Sequence, residues 1–192
     1  MIVYEDFDTA GLWLDTAYSR ENYVGEPLTD ALVKSIEEEL GYKLPESYIA
    51  LMKVQNGGLL AKTEFETDQA YIDVECIYGI NRSKRASLGG ILKEREAFTV
   101  HNPKTGETTD IAGEIYRTGS RFWIEKWGYP KIGVYFAECP SGGHDMLCLD
   151  YRTCDSCGEP QVVHVDQEGD YRITLVAENF EMFVRGLKVA SY

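Results

Sequence analysis

Three apolar segments in the second half of the chain are separated by sequences that favour chain reversal. The segments comprise residues 132–136, 146–149 and 162–165, and a weaker fourth one comprises residues 71–74. Their alternating or continuous apolar residues are typical of strands with one or both faces buried. The intervening sequences at residues 140–143 and 158–160 contain the Pro and Gly of tight turns. The sequence therefore predicts hairpin or meander connections within one antiparallel sheet, with a mixed sheet as the alternative.

A helical repeat of apolar residues lies in the first quarter of the chain. Leu32, Ile36 and Leu40 recur at every fourth position, which places them on one face of a helix. Thr29 suits the N-cap of this helix, and Gly41 suits the left-handed position at its end. We expect one amphipathic helix between these two residues.

Two further helices are predicted, one before the strands in the sequence and one after them. Pro45 suits the first turn of a second helix, which stops at the Asn-Gly-Gly of residues 56–58. Near the C-terminus, Asn179 can cap a helix whose apolar face has the spacing i, i+3, i+4 and i+7. That face comprises Phe180, Phe183, Val184 and Leu187. The predicted fold class is α+β: a single domain with N-terminal helices and a C-terminal helix flanking the sheet.

Two segments stand apart from this pattern. Residues 1–27 are acidic and aromatic without a clear period, and we expect an N-terminal extension packed on a domain of residues 28–192. Residues 84–121 are polar and lack sustained periodicity, which predicts an inserted loop or hairpin at about residues 91–118. Within it, the turn-forming sequence of residues 102–106 suggests a hairpin with two short strands.

The chain has a formal net charge of −13, which opposes binding to nucleic acid or to an anionic membrane and favours a basic partner. Eight carboxylates between residues 138 and 170 are accompanied by Arg152 alone. These are Glu138, Asp145, Asp150, Asp155, Glu159, Asp166, Glu168 and Asp170. If their turns share one edge of the sheet, they would steer a basic protein surface toward it. The alternative is that these carboxylates lie on a solvent-exposed hairpin edge, where their charge prevents pairing with strands of other molecules.

The sequence favours a cytoplasmic protein with reduced thiols. It contains neither a signal-peptide pattern at its start nor an apolar run of about 20 residues that could cross a bilayer. Five cysteines in a chain of this size do not form the even-numbered framework of a small secreted protein.

The cysteines and histidines give weak indications of chemistry. Cys154 and Cys157 have the spacing of half a zinc site, which Cys139, Cys148, His144 or His164 could complete only by folding close to them. A cysteine nucleophile is also conceivable, with Cys139 or Cys148 activated by His144, and with Asp145 or Asp150 orienting that base. The sequence contains neither phosphate-binding glycine motif. We predict no metal, no cofactor and no catalytic residues.

The order and spacing of several motifs resemble the SUKH superfamily, in its bacterial Smi/Knr-type branch. In the first half these are residues 36–41, the Leu-Pro-x-x-Tyr of residues 44–48 and the Asn-Gly-Gly of residues 56–58. In the second half they include residues 127–130, 139–145, 149–151, 158–160, 163–165 and 177–180. The resemblance covers about residues 28–188, except for the insertion.

The motif residues have structural explanations in the sequence itself. Helix ends, tight turns and core positions account for Gly41, Leu44, Pro45, Tyr48, Asn56, Gly57, Gly58, Trp127, Gly143 and His144, with Trp127 as a core anchor. The resemblance implies a binding protein, either a bacterial immunity protein encoded with a polymorphic toxin or a regulatory adaptor. We expect stoichiometric occlusion of a cognate protein toxin, and nucleases are one class of such toxins. The adaptor is the alternative, and a thiol- or zinc-dependent enzyme is the third hypothesis.

Overall fold

The computed structural model describes residues 4–68 and 71–190, which form an α+β fold. A short 3-10 helix spans Ala10–Leu12. The α-helices are α1 Ala17–Asn22, α2 Asp30–Leu40, α3 Glu46–Val54, α4 Ser120–Trp127 and α5 Phe180–Gly186. The strands are β1 Gly58–Leu59, β2 Glu64–Glu66, β3 Tyr71–Asp73, β4 Cys76–Ile77, β5 Leu92–Arg95, β6 Phe98–His101, β7 Thr108–Ile111, β8 Glu114–Arg117, β9 Gly133–Glu138, β10 Asp145–Asp150, β11 Gln161–Asp166 and β12 Arg172–Ala177.

The central sheet has six strands in the order β1-β4-β9-β10-β11-β12, and each neighbouring pair is antiparallel. The predicted meander is therefore confirmed for β9, β10 and β11. The assignment of residues 71–74 to the same sheet is wrong, because β3 pairs with β2 in a separate two-stranded sheet. Only Ile72 of β3 is buried, and the residues on either side of it are exposed. One apolar side chain suffices to anchor a surface hairpin but not to form a central strand.

Three predicted helix caps are confirmed, while Pro45, predicted in the first turn of its helix, is the N-cap residue that precedes α3. The Thr29 hydroxyl accepts a hydrogen bond of 3.2 Å from the backbone N–H of Leu32, and Gly41 ends α2 with a φ of 80°. Asn179 caps α5 by accepting a hydrogen bond of 2.9 Å from the N–H of Met182. These caps satisfy backbone donors that a helix cannot satisfy within itself.

An aromatic cluster joins α3 and α5 to the sheet. The ring centroid of Tyr48 lies 4.6 Å from that of Phe180 and 6.0 Å from that of Phe136 on β9. Phe183 of α5 lies 5.6 Å from Phe136. All four side chains are fully buried, so this cluster is the centre of the core between the helices and the sheet.

Helix α4 was not predicted, and its position corrects the assignment of a core anchor. Trp123 is buried and its indole N–H donates a hydrogen bond of 3.0 Å to the hydroxyl of Tyr78. Trp127, the predicted anchor, is only half-buried and packs on Trp123 with a centroid distance of 5.3 Å. Trp123 and Trp127 share a helix face, but it is Trp123 that points into the core.

The N-terminal segment packs against the edge of the sheet. Leu12, Trp13 and Tyr23 are buried, and an antiparallel bridge joins Trp13 to Leu60. Residues 4–27 therefore contribute side chains to the same hydrophobic core.

Strands β5 to β8 form an arm that extends from the domain as two successive hairpin segments. Strand β5 pairs with β8, and β6 pairs with β7 around the predicted turn. Leu92 and Ile115 are 64% and 72% exposed. The two ends of the arm meet where the Thr118 N–H donates a hydrogen bond of 2.9 Å to the Ile91 carbonyl. A long insertion with adjacent ends costs little loop-closure entropy.

Replacing residues 91–118 by a short Gly/Ser bridge is expected to leave a soluble protein that unfolds cooperatively. The deletion removes the stack of Tyr116 on Phe122, at a centroid distance of 5.4 Å, so the free energy of unfolding should change by no more than about 1–2 kcal/mol. Urea unfolding followed by circular dichroism measures this change. Insolubility or loss of a cooperative transition would show that the arm is part of the core.

Candidate functional site

The eight carboxylates of residues 138–170 lie at two opposite ends of the central sheet. Consecutive turns of an antiparallel meander point in opposite directions, and a six-residue strand separates its two ends by about 17 Å. The turns before β10 and after β11 carry Glu138, Asp145, Asp166, Glu168 and Asp170, which we call the Asp166 end. The turn between β10 and β11 carries Asp150, Asp155 and Glu159, which we call the Glu159 end. The expectation of a single acidic edge is therefore wrong.

Most carboxylates at the Asp166 end have partners within the protein. Asp166 lies 2.8 Å from Arg172, and the Nδ1 atom of His144 lies 3.7 Å from Glu168. Glu138 is largely buried and accepts a hydrogen bond from the hydroxyl of Tyr78, and burial raises the pKa of its carboxyl group. Asp170 is exposed. The charge offered to a partner at this end is smaller than the sequence suggests.

The Glu159 end combines one neutralised carboxylate with two exposed ones. Asp150 is 2% exposed and receives hydrogen bonds of 2.6–3.0 Å from the guanidinium of Arg152. Asp155 and Glu159 are exposed, and within residues 4–68 and 71–190 neither lies within ion-pair distance of a Lys, Arg or His. The partner-binding role of all eight residues stays a prediction.

Additional carboxylates reinforce the charge at the Glu159 end. Burial raises the pKa of Glu159, and the nearby carboxylates of Glu181 and Glu46 raise it further. Glu46 lies in the first turn of α3, and Glu181 lies in the first turn of α5, where it pairs with Arg185 at 2.9 Å. Sequence reasoning missed this grouping because residues 46, 159 and 181 come together only when both helices dock beside the β10–β11 turn.

The Leu-Pro-x-x-Tyr residues lie inside the domain. Leu44, Pro45 and Tyr48 are buried, and the Tyr48 hydroxyl donates a hydrogen bond to the carbonyl of Tyr78. The N–H of Leu44 donates a hydrogen bond of 2.9 Å to the buried side chain of Glu37. These contacts give the motif a packing role.

The Asn-Gly-Gly residues form the corner between α3 and β1. The side chain of Asn56 makes three hydrogen bonds of 2.7–3.1 Å to the backbone of Glu26 and Ile80. Gly57 has a φ of 86°, and a Cβ atom there would lie 2.5 Å from the backbone nitrogen of Gly79. Gly58 begins β1. The corner therefore needs both the Asn56 amide and the close backbone approach at Gly57.

Gly143 and His144 contact the aromatic side chains around α4. Gly143 is buried, and its carbonyl accepts a hydrogen bond of 2.6 Å from the hydroxyl of Tyr129. His144 is exposed, with its ring 6.1 Å from that of Trp127 and its Nδ1 atom 3.0 Å from Gln167. His144 therefore occupies a surface position beside Trp127.

The cysteine arrangements considered from the sequence are not formed. Within the described ranges, Cys154 and Cys157 are free thiols outside any group of three metal-ligating side chains. Cys148 is buried in β10, and burial raises the pKa of its thiol well above the usual value, as expected for an inert core cysteine. His144 contacts Gln167 instead of serving either proposed nucleophile.

A different group of potential ligands meets at the Asp166 end. Cys139, Asp145 and His164 each offer one ligand atom, and these three atoms all lie within 4.8 Å of one another. The Nε2 atom of His164 lies 2.7 Å from Oδ2 of Asp145. Burial raises the pKa of Asp145, but hydrogen bonds from His164 and Ser141 outweigh burial and lower it overall. No short sequence motif contains this group, because Asp145 and His164 come from β10 and β11 and Cys139 directly follows β9.

A cavity of about 470 Å³ is lined by two of these three residues, Asp145 and His164, whereas the buried Cys139 lies behind its wall. Its wall comprises Tyr71, Ile72, Asp73, Pro140, Ser141, Asp145, His164, Arg172 and Thr174. The hairpin of β2 and β3 therefore forms one side of the cavity, and the ends of the central strands form the other. Besides the ligand group, the wall includes the cationic side chain of Arg172 and the anionic side chain of Asp73.

Within the described residues, no helix is long and apolar enough to cross a membrane.

Comparison with known proteins identifies the family. No significant match to a curated protein or to a solved structure was found. Residues 27–186, which include the motifs around Tyr48, Asn56 and Asp145, match the SMI1 / KNR4 family (SUKH-1). This match spans most of the 192 residues, and the chain therefore belongs to the SMI1 / KNR4 family (SUKH-1).

Proposed function

We propose that this protein is an immunity protein that neutralises a cognate toxin by binding it stoichiometrically. Membership of the SUKH-1 family is the observation that carries this proposal, since the resemblance described above implies bacterial immunity proteins encoded with polymorphic toxins. In this proposal the protein acts in the cytoplasm, covers the toxin's active or substrate-binding surface, and needs neither turnover nor a cofactor for neutralisation.

The Glu159 end is the surface we assign to the toxin. Asp155 and Glu159 are exposed there, and Glu46 adds a further carboxylate close to Glu159, while Glu181 is paired with Arg185 at 2.9 Å. Exposed carboxylates without an internal cation favour a basic partner. A toxin that acts on nucleic acid carries a basic substrate surface of this kind. Most carboxylates at the Asp166 end have internal partners and contribute less to attraction.

The function is tested by expressing the toxin domain encoded next to this chain, with and without this protein. We expect growth to be restored only in its presence and the two proteins to purify as a complex of fixed stoichiometry. Unchanged toxicity at confirmed expression of both proteins would reject immunity toward that toxin. A complex that forms without protection would favour the adaptor role.

The surface is tested by replacing two carboxylates with lysine at one end of the sheet and, in a separate variant, two at the other end. The variant Asp155→Lys/Glu159→Lys is expected to slow association with the toxin roughly tenfold at low salt and to weaken its salt dependence, because exposed charges act chiefly on encounter. The matched variant Glu168→Lys/Asp170→Lys changes the net charge equally at the Asp166 end and should have a smaller effect. Surface plasmon resonance measures both rates, and circular dichroism confirms folding. Equal effects of the two variants would contradict the assignment of the Glu159 end.

A further inference from the structure

We propose that Cys139, Asp145 and His164 form a binding site for one divalent transition-metal ion, with zinc as the best match. This assignment is independent of the proposed toxin binding. From the sequence we predicted no metal, because we considered only sites in which Cys154 and Cys157 would be two of the ligands. The structure brings Cys139 and His164 together with Asp145 instead.

Three neighbouring strands hold the proposed ligands on a rigid framework. Cys139 directly follows β9, Asp145 begins β10, and His164 lies within β11. Strand β10 is paired on both sides, with Leu147 opposite Ala137 of β9 and opposite His164 of β11. Ligands supplied by paired strands are positioned more rigidly than ligands supplied by free loops.

The ligand types and distances suit zinc. Thiolate, imidazole and carboxylate are its three usual protein ligands, and in a tetrahedral site their ligand atoms lie roughly 3–4 Å apart. Here the three atoms already lie within 4.8 Å of one another, and the shortest separation is 2.7 Å between His164 Nε2 and Asp145 Oδ2. On binding through Nε2, neutral His164 would carry its single proton on Nδ1, so the metal would take the place of the hydrogen bond to Asp145, and the two atoms would separate slightly.

Two features of this ligand group favour an added cation. Oδ1 of Asp145 is buried without a hydrogen bond of ordinary geometry from the residues that the structure describes, although the Cys139 thiol and the Ser141 hydroxyl also interact with this carboxylate. Cys139 is 2% exposed, and its thiol lies among the carboxylates of Asp145 and, farther away, Asp73. A divalent ion would satisfy the Asp145 carboxylate and stabilise the thiolate, and its binding would release the thiol proton to solvent.

Asp145 and His164 line the cavity, so a metal held by them would have its fourth coordination position on the cavity side. Three protein ligands plus an open position is the arrangement of zinc sites that bind water or an exogenous ligand. Arg172 lines the same cavity, although it also pairs with Asp166 at 2.8 Å. The residues beside the open position therefore suit water or a small anionic group as the fourth ligand.

The test uses the full chain with Cys154→Ser/Cys157→Ser. These substitutions remove the two cysteines that are not buried, so that they cannot bind the added metal. After metal removal with a chelator, Zn²⁺ is titrated and followed by native mass spectrometry, and Co²⁺ is followed by absorption. We expect one equivalent of either ion, and for cobalt a thiolate charge-transfer band with the intense visible bands of a tetrahedral site. His164→Gln should weaken binding at least about tenfold, since even groups outside the ligand set contribute that much.

Ligand variants and a matched cysteine control decide the outcome. Cys139→Ser should abolish the charge-transfer band, whereas Cys148→Ser should retain it, because Cys148 is an equally buried thiol on β10 outside the ligand group. Circular dichroism verifies the fold of each variant, and the half-buried His164 provides the decisive variant if Cys139→Ser does not fold. Absence of stoichiometric binding, or binding of equal affinity in His164→Gln, would overturn the proposal.

Discussion

Replacing Tyr48 by alanine is expected to destabilise the protein by roughly 3–5 kcal/mol, the cost of removing a fully buried aromatic ring. The ring is 0% exposed and lies between Phe136 and Phe180, so its removal leaves a cavity where α3 and α5 meet the sheet. The hydroxyl is removed as well, and with it the hydrogen bond to the carbonyl of Tyr78. This is a large part of the roughly 5–15 kcal/mol that holds a typical domain folded.

Tyr48→Phe separates the two contributions, because it keeps the ring and removes only the hydroxyl. We expect it to cost about 1–2 kcal/mol, since the Tyr78 carbonyl loses its donor in a buried position. Urea unfolding of both variants gives the free energies. A destabilisation of less than about 1 kcal/mol in Tyr48→Ala would show that the core repacks around the missing ring. Toxin binding by folded Tyr48→Phe should be unchanged, because the hydroxyl is buried and bonded to the carbonyl of Tyr78 inside the domain.

Local sequence signals predicted three helix caps and the strands β9, β10 and β11, but not the strands β1, β4 and β12 of the same sheet. Thr29, Gly41 and Asn179 act through backbone groups within a few residues of themselves, so their roles can be inferred without knowing the tertiary structure. Helix α4 escaped prediction because it has eight residues and follows a polar segment. The choice between Trp123 and Trp127 as the core residue depended on how α4 packs, which the sequence did not reveal.

The candidate sites depended on strand pairing and were therefore harder to predict. Acidic residues that are close in the sequence were separated by the meander, since Asp155 and Glu168 lie at opposite ends of β11. Conversely, Cys139 and His164 are 25 positions apart in the numbering and meet through the pairing of β9, β10 and β11. The sequence shows which residue types are available, and the sheet register decides which of them meet.

The two N-terminal motifs hold the same short segment of chain after β4. Tyr48 binds the carbonyl of Tyr78, and Asn56 binds both the N–H and the carbonyl of Ile80. Gly79 lies between these contacts, against the backbone of Asn56 and Gly57. The Leu-Pro-x-x-Tyr helix and the Asn-Gly-Gly corner therefore form one structural unit that fixes α3 on residues 78–80.

Replacing Asn56 by alanine is consequently expected to destabilise the protein by roughly 2–5 kcal/mol, because each buried backbone group left without a partner costs about 1–3 kcal/mol. The N–H and carbonyl of Ile80 would lose hydrogen bonds of 2.7 and 3.1 Å, and Ile80 is 0% exposed, so water cannot readily replace the amide. The carbonyl of Glu26 would lose a bond of 2.8 Å, but Glu26 is exposed and can be hydrated.

Gln55→Ala is the matched control for this change, since it removes the amide of the adjacent residue. Gln55 is half-buried and makes one side-chain hydrogen bond, of 3.1 Å to the carbonyl of Gly57, so its removal should cost about 0.5–1 kcal/mol. Chemical unfolding compares the two variants, and hydrogen exchange at the Ile80 amide should accelerate in Asn56→Ala alone. Equal free energies of unfolding for the two variants would mean that the corner is held by the backbone contact of Gly57 with Gly79. In that case Gly57→Ala, whose Cβ would lie 2.5 Å from the Gly79 nitrogen, should be the more damaging substitution.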